Sequence, residues 1–234
     1  MRIDKFLSSA GVASRKEAAR AAKAGEVLVD GRIARDLSAH IDPDTQSVVF
    51  RGEAVAYREH VYIMLNKPAG YVSSTDPKDG QIVTLLLDDR LRRRGLFPCG
   101  RLDRDTEGLL LLTDDGPLAH RLLSPRHHAE KTYFFRCGSP IGEPERLRLE
   151  SGVEIGEARL TLPARVELLS PTEGRITLTE GKYHQIKRML EAVGSSIVYL
   201  ERVTFAGIPL DPALERGQWR PLRPDEEQTI RANS

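Results

Sequence analysis

The stretch over residues 100–116, GRLDRDTEGLLLLTDDG, constrains this chain more than any other. A short charged segment carrying Asp103, Asp105 and Glu107 runs straight into Leu109, Leu110, Leu111 and Leu112. An apolar run this short suits a strand buried on both faces, with Asp114, Asp115 and Gly116 closing it as a turn does. Gly100 and Gly108 bracket the polar part and permit backbone angles that other residues avoid, so residues 101–107 can form a tight loop against a rigid sheet. On the residues alone, a solvated loop whose salt bridges stabilise little accounts for these charges as well as a catalytic site does.

With 234 residues, 40% of them hydrophobic, the chain can bury a full core and fits one medium domain plus a small one. Its apolar runs are far shorter than the roughly 20 residues of a membrane helix. The N-terminus, MRIDKFLSSAGVASRKEAAR, lacks the apolar core of a signal peptide, so a cytoplasmic location away from membranes is expected. Cys99 and Cys137 show no CxxC spacing and are read as reduced structural thiols. His127 and His128 have no further ligands at suitable spacing, so no metal site is expected. The net charge of +1 says nothing for a nucleic-acid partner, but its distribution does. Residues 1–40 hold eight Lys or Arg against five acids, a surplus of three, and the remainder is slightly acidic.

Ile3, Phe6, Leu7 and Ala10 lie at helical spacing, with Gly11 as a stop. A second helix begins at Ser14, where SRKE is a capping box with Glu17, and ends at Gly25. Ala18, Ala19 and Ala22 are expected to pack inward, leaving Arg15, Lys16, Arg20 and Lys23 as a basic stripe that can track a phosphate backbone or stand as a solvated face. EVLVDGRIA then alternates around Asp30 and Gly31, a two-residue hairpin turn. This order of helix, helix and hairpin, with RIDKFL and VLVDG, resembles the S4 RNA-binding domain. The resemblance makes the stripe an RNA-docking face, since phosphate contacts position without specifying sequence. SVVF and EAVAY read as short strands, and the linker falls near residues 58–60, dividing a domain over 1–58 from one over 61–232.

The second domain opens with VYIML as a strand and a turn at Lys67, Pro68 and Gly70. Arg92, Arg93 and Arg94 are expected to form a basic cluster near the site that contacts RNA. PLAHRLLSP reads as one short helix, and a strand carrying Tyr133 follows it. The text over residues 142–178 alternates helix-like and strand-like stretches and is expected to extend the sheet. QIKRMLEAVG sets Ile186, Met189, Leu190 and Val193 at helical spacing, with Lys187 and Arg188 near the helix start and Gly194 as its end. Trp219 is expected to pack rather than to stack on RNA.

Five ordered segments, the S4-like start, KPAGYVSS, GRLDRDTEGLLLLT, SPRHHAEKTY and GKYHQIKRM, resemble the pseudouridine synthases of the RsuA/RluB/E/F family and cover almost the entire chain. The resemblance implies an α+β protein: a small S4-like domain followed by a synthase domain with a central, mainly antiparallel mixed sheet flanked by helices. It implies Asp103 as the catalytic carboxylate. Arg101 would grip the RNA or fill the gap left by an extruded base, Tyr133 would stack on the uracil, and Lys187 would be the basic partner of Asp103, with Arg188 as runner-up. Leu102 and Ile186 become pocket walls, and Lys67 and Arg188 join them as substrate-binding residues.

The reaction so implied breaks the N1–C1′ bond of a uridine, turns the base and rebonds it at C5. It has no redox step and requires no nicotinamide, flavin or metal, in keeping with the absence of GxGxxG and phosphate-loop motifs. Attack at C1′, attack on the ring and deprotonation at C2′ are all open to Asp103. The implied substrate is ribosomal RNA, 16S within the family branch, free or in a partly assembled small subunit, modified by a monomer without a cofactor. The same chemistry on 23S RNA, or a non-catalytic role in ribosome assembly, are the alternatives.

Overall fold

A computed structural model of the chain describes residues 1–124 and 129–234, arranged in two compact units. The first joins Met1–Val61 to Thr84–Leu96, and the second joins Tyr62–Val83 to Phe97–Ser234. His127 and His128 lie outside the described residues.

In the first unit, helices α1 (Ile3–Ser9) and α2 (Arg15–Lys23) are followed by strands β1 (Val27–Val29), β2 (Arg32–Ile33), β3 (Val48–Phe50) and β4 (Glu53–Ala54). The strands form a sheet of order β2-β1-β3-β4. Ser14 Oγ accepts from the Glu17 amide at 3.3 Å while Glu17 accepts from the Ser14 amide at 2.8 Å, the reciprocal cap that starts α2. Asp30 and Gly31 both take positive φ, which matches the hairpin turn to the twist of β1 and β2. The inward alanines of α2 are Ala18, Ala21 and Ala22. Ala19, expected inside, is exposed, because the three-and-four spacing from Ala18 to Ala21 and Ala22 carries the buried stripe past it. Arg15, Lys16, Arg20 and Lys23 are all exposed.

The segment Thr84–Leu96, read from the sequence within the second domain, packs in this first unit through α3 (Asp89–Arg94). Arg90 Nε donates to Ala10 O at 3.1 Å, Arg93 donates to Val12 O at 3.4 Å, and Arg94 donates to Arg58 O at 2.5 Å and Glu59 O at 2.7 Å. Arg92 pairs with Asp89. The cluster expected to meet RNA thus has partners within the protein, where its guanidiniums donate to carbonyls at the end of α1 and in the linker, while Arg92 and Arg93 remain exposed. Gly11 makes this approach possible, since a Cβ there would lie 2.3 Å from Arg90 O.

The second unit is built on β5 (Tyr62–Lys67), β6 (Phe97–Pro98), β7 (Glu107–Thr113), β8 (Lys131–Cys137), β9 (Arg165–Ser170), β10 (Glu173–Leu178), β11 (Ile197–Phe205), β12 (Ile208–Pro209) and β13 (Trp219–Pro221). Its main path runs β13-β5-β7-β11-β8-β10-β9, with β6 on β7 and β12 on β11. The β7–β11 pair is parallel and its neighbours are antiparallel, the mixed sheet that the resemblance implies. Helices α4 (Gly116–Leu123), α5 (Glu143–Ser151), α6 (Gln185–Ala192) and α7 (Pro224–Ala232) complete the unit.

The four leucines of β7 are 0–3% exposed, and full burial of each contributes roughly 1.5–3 kcal/mol. Leu109 and Leu111 pack with Leu118 and Leu122 of α4 and Ile230 of α7, whereas Met189 and Leu190 of α6 pack with Phe135 and Ile176 in a second cluster. Asp115 ends the leucine strand and caps α4, accepting from the Leu118 amide at 2.9 Å. Cys99 and Cys137 are buried free thiols. No helix among the described residues is long and apolar enough to cross a membrane.

Candidate active site

The loop that leads into β7 is held from two sides. The Lys67 ammonium, fully buried, donates to the main-chain oxygens of Asp103 at 3.0 Å, Arg104 at 3.3 Å and Thr106 at 2.8 Å, and to Pro68 O at 3.1 Å. Burial pushes its pKa down to about 8, against the pull of Asp105, Glu107 and Asp103. The turn after β5 adds the Gly70 amide, donating to Arg104 O at 2.8 Å. Ser73 Oγ accepts from the Leu102 amide and donates to Leu102 O, both at 3.0 Å. KPAGYVSS is therefore a clamp on GRLDRD.

Gly108 brings β7 onto β11. A Cβ at this position would lie 2.3 Å from Arg202 O, so only glycine allows the two parallel strands to meet in this register.

The clamped loop opens into a cleft of about 930 Å³ lined by the loop itself, by residues of β8, β10 and β11, and by the turn before α6. At its charged centre, Lys187 Nζ lies 3.1 Å from Asp103 Oδ2 and 2.7 Å from Asp105 Oδ1. Burial disfavours the Lys187 cation, yet the hydrogen bonds it donates to Asp105 and Asp103 outweigh it and raise its pKa. For Asp105 burial likewise opposes charge, and the Lys187 ammonium overrides it and lowers the pKa. His184 Nε2 stands 3.6 Å from Asp103 Oδ1 on the other side. Asp103 keeps part of its carboxylate open to the cleft.

The cleft brings together Asp103, Arg101, Leu102, Tyr133, Ile186 and Lys187. Arg101 is exposed and makes no hydrogen bond or ion pair among the described residues, while Leu102 and Ile186 are buried walls. Tyr133 pairs with Arg202 across the β8–β11 ladder.

Two residues expected at the substrate stand elsewhere. Lys67 lies behind the loop, where its ammonium ties the Pro68 carbonyl of one turn to the Asp103, Arg104 and Thr106 carbonyls of the other. Arg188 turns to a separate groove, donating to Ile155 O, to Tyr183 O at 3.0 Å and to Glu157 at 3.1 Å. Adjacent positions on a helix point about 100° apart, so one of Lys187 and Arg188 had to face away from Asp103.

Four further residues in or beside the cleft are given no role by the sequence. Asp105 shares Lys187 with Asp103. His184 takes φ 49°, and no spacing in the sequence announces that turn. Lys131 donates to Ala129 O at 2.8 Å, and burial followed by repulsion from Arg202 brings its pKa down to about 8. Arg202 is 1% exposed, donates from Nε to Leu109 O at 2.7 Å and has one buried terminal nitrogen with no hydrogen-bond partner among the described residues. A charged residue inside the apolar strand text IVYLERVTF was the available signal for it. No cluster of metal-ligating side chains occurs among the described residues.

Comparison with known proteins accords with this geometry. A sequence family described as RNA pseudouridylate synthase matches residues 61–192, and the S4 domain matches residues 1–47. A Bacillus subtilis (strain 168) protein named uncharacterized RNA pseudouridine synthase YtzG is 48% identical over 230 residues, covering 97% of this chain and 96% of that protein. The ribosomal small subunit pseudouridine synthase A of Escherichia coli (strain K12) is 43% identical over 232 residues, covering 98% and 100%. A crystal structure of a pseudouridylate synthase, 37% identical, superposes with a TM-score of 0.70 over 98% of this chain and 99% of that one.

Proposed function

The chain belongs to the RNA pseudouridylate synthase family and is an isomerase of that class with an S4 domain; from this premise we propose that it converts a uridine of small-subunit ribosomal RNA to pseudouridine, with Asp103 as the catalytic carboxylate and no cofactor. The observation that carries the reading is the Asp103 carboxylate, open to a cleft large enough for a nucleotide and 3.1 Å from the Lys187 ammonium. The small-subunit target is supported by the name of the Escherichia coli relative, matched over its full length.

The cleft supplies residues suited to holding the carboxylate, the base and the RNA. The N1–C1′ bond breaks, the freed base turns, C5 bonds to C1′, and C5 gives up a proton while N1 gains one. The Lys187 ammonium, 3.1 Å from the Asp103 carboxylate, is the opposite charge beside it in the cleft. Tyr133 offers its ring to the extruded uracil, and Leu102 and Ile186 confine the detached base. Arg101, exposed on the cleft wall, grips the RNA where the base has left the stack. Arg15, Lys16, Arg20 and Lys23 meet phosphates elsewhere on the RNA.

The test is tritium release from C5 of labelled small-subunit ribosomal RNA by the purified protein, together with pseudouridine mapping in cells with and without it. Absence of both signals overturns the reading. Release from large-subunit RNA alone corrects the target and leaves the chemistry.

A further inference from the structure

We propose that Tyr183, stacked on His184, is a platform for a nucleobase next to the target uridine, an inference that rests on the cleft acting on RNA. Leu102 and Ile186 are buried in the wall of the same cleft, whereas Tyr183 is 72% exposed. Its ring lies 3.8 Å from that of His184 at an interplanar angle of 19°, so one face is covered and the other is open. An aromatic face presented to water contributes nothing to the core, and a solvated side chain needs no such stack.

The backbone beneath the pair is braced. Arg188 holds Tyr183 O at 3.0 Å, the Lys182 amide donates to Gln185 Oε1 at 2.8 Å, and Gln185 Nε2 donates to Glu180 Oε1 at 2.7 Å. Glu180 in turn accepts from the Leu162 amide at 2.9 Å. His184 sits in the left-handed region at φ 49°, a conformation that costs a non-glycine residue energy and persists where its surroundings enforce it. That turn sets the imidazole under Tyr183 and, at the same time, 3.6 Å from the Asp103 carboxylate.

Extruding a uridine leaves the bases beside it with one face bare. A fixed aromatic face restores stacking to one of them whatever its identity, since every base has a π-face. A base on Tyr183 also clamps His184 against Asp103, which links capture of the flanking nucleotide to orientation of the carboxylate. The platform gives Arg188 a supporting part although it does not touch the cleft.

The experiment measures single-turnover pseudouridine formation against RNA concentration, first on a small-subunit ribosomal RNA transcript and then on fragments with an abasic residue 5′ or 3′ of the mapped uridine. Tyr183→Ala is expected to raise the half-saturating concentration by about tenfold, within the range of a lost base–aromatic stack, and Tyr183→Trp to restore it. One of the two abasic positions is expected to weaken the wild type as much as Tyr183→Ala does, and to have no further effect on that variant. A half-saturating concentration unchanged in Tyr183→Ala overturns the platform, as does a penalty that adds to both abasic substitutions. Wild-type protein inactive on every RNA overturns the parent reading, and this inference with it. Active wild type with an unaffected Tyr183→Ala overturns this inference alone.

Discussion

Lys67 Nζ donates to the main-chain oxygen of Asp103 at 3.0 Å, so the residue whose carboxylate faces the cleft is gripped through its backbone by a buried cation. The side chain of Asp103 meets a second lysine, Lys187, at 3.1 Å. One lysine orders the loop and the other holds the charge.

Asp103→Asn is expected to keep the fold and RNA binding and to abolish pseudouridine formation, because the amide is nearly isosteric yet cannot serve as nucleophile or base. Turnover of the purified variant above host contamination in the tritium-release assay would overturn the role.

Lys187→Met is expected to lower activity at neutral pH by tenfold or more, because the carboxylates of Asp103 and Asp105 lose the ammonium they share. In the wild type the raised lysine pKa keeps the cation charged at neutral pH. Its stabilising effect is present below the ordinary lysine value of 10.5 and is lost only as pH climbs through the raised value. Asp105→Asn removes the competing carboxylate and is expected to cost much less activity. Rate-against-pH profiles of both variants on one RNA check this, and wild-type rates for Lys187→Met at every pH contradict it.

Lys67→Met removes the buried donor of the Pro68 and Thr106 carbonyls and a second donor of Asp103 O and Arg104 O, which costs about 1–3 kcal/mol for each group left unpaired. Faster amide exchange over residues 103–106 and at least a tenfold fall in activity are expected. The pH dependence has a definite sign. Between about 8 and 10.5 the unfolded chain holds more protons on this lysine than the folded one, so wild-type stability gains from Lys67 as pH rises through that window. Chemical denaturation at pH 8 and pH 10 should show that gain in the wild type and a smaller one in Lys67→Met.

Replacing Lys16, Arg20 and Lys23 by Gln is expected to weaken RNA binding and to flatten the slope of log affinity against log salt by roughly 0.7–0.9 for each lost phosphate contact. An unchanged slope marks the stripe as a solvated face. Deleting residues 1–58 is a poorer test, because it strips α3 of the Ala10, Val12 and Arg58 carbonyls that its arginines hold.

Periodicity and caps determined the elements. The leucine run of β7, the capping box of α2, the turn at Asp30 and Gly31 and the apolar face of α6 were each legible in the text, because burial repeats along a strand or helix and a cap needs only neighbours three residues away. The resemblance of GRLD, KTY and GKYHQIKRM to one family brought Asp103, Tyr133 and Lys187 forward, and the structure sets all three in one cleft. What no local pattern decided was the destination of each cation. Lys67 serves backbone oxygens some 36–39 positions away, Arg90 and Arg94 reach the Ala10 and Arg58 carbonyls far back in the chain, and Arg188 leaves the cleft that its neighbour Lys187 enters. A long charged side chain goes to whichever carbonyls and carboxylates the packed backbone leaves without partners, and only the tertiary structure determines which those are.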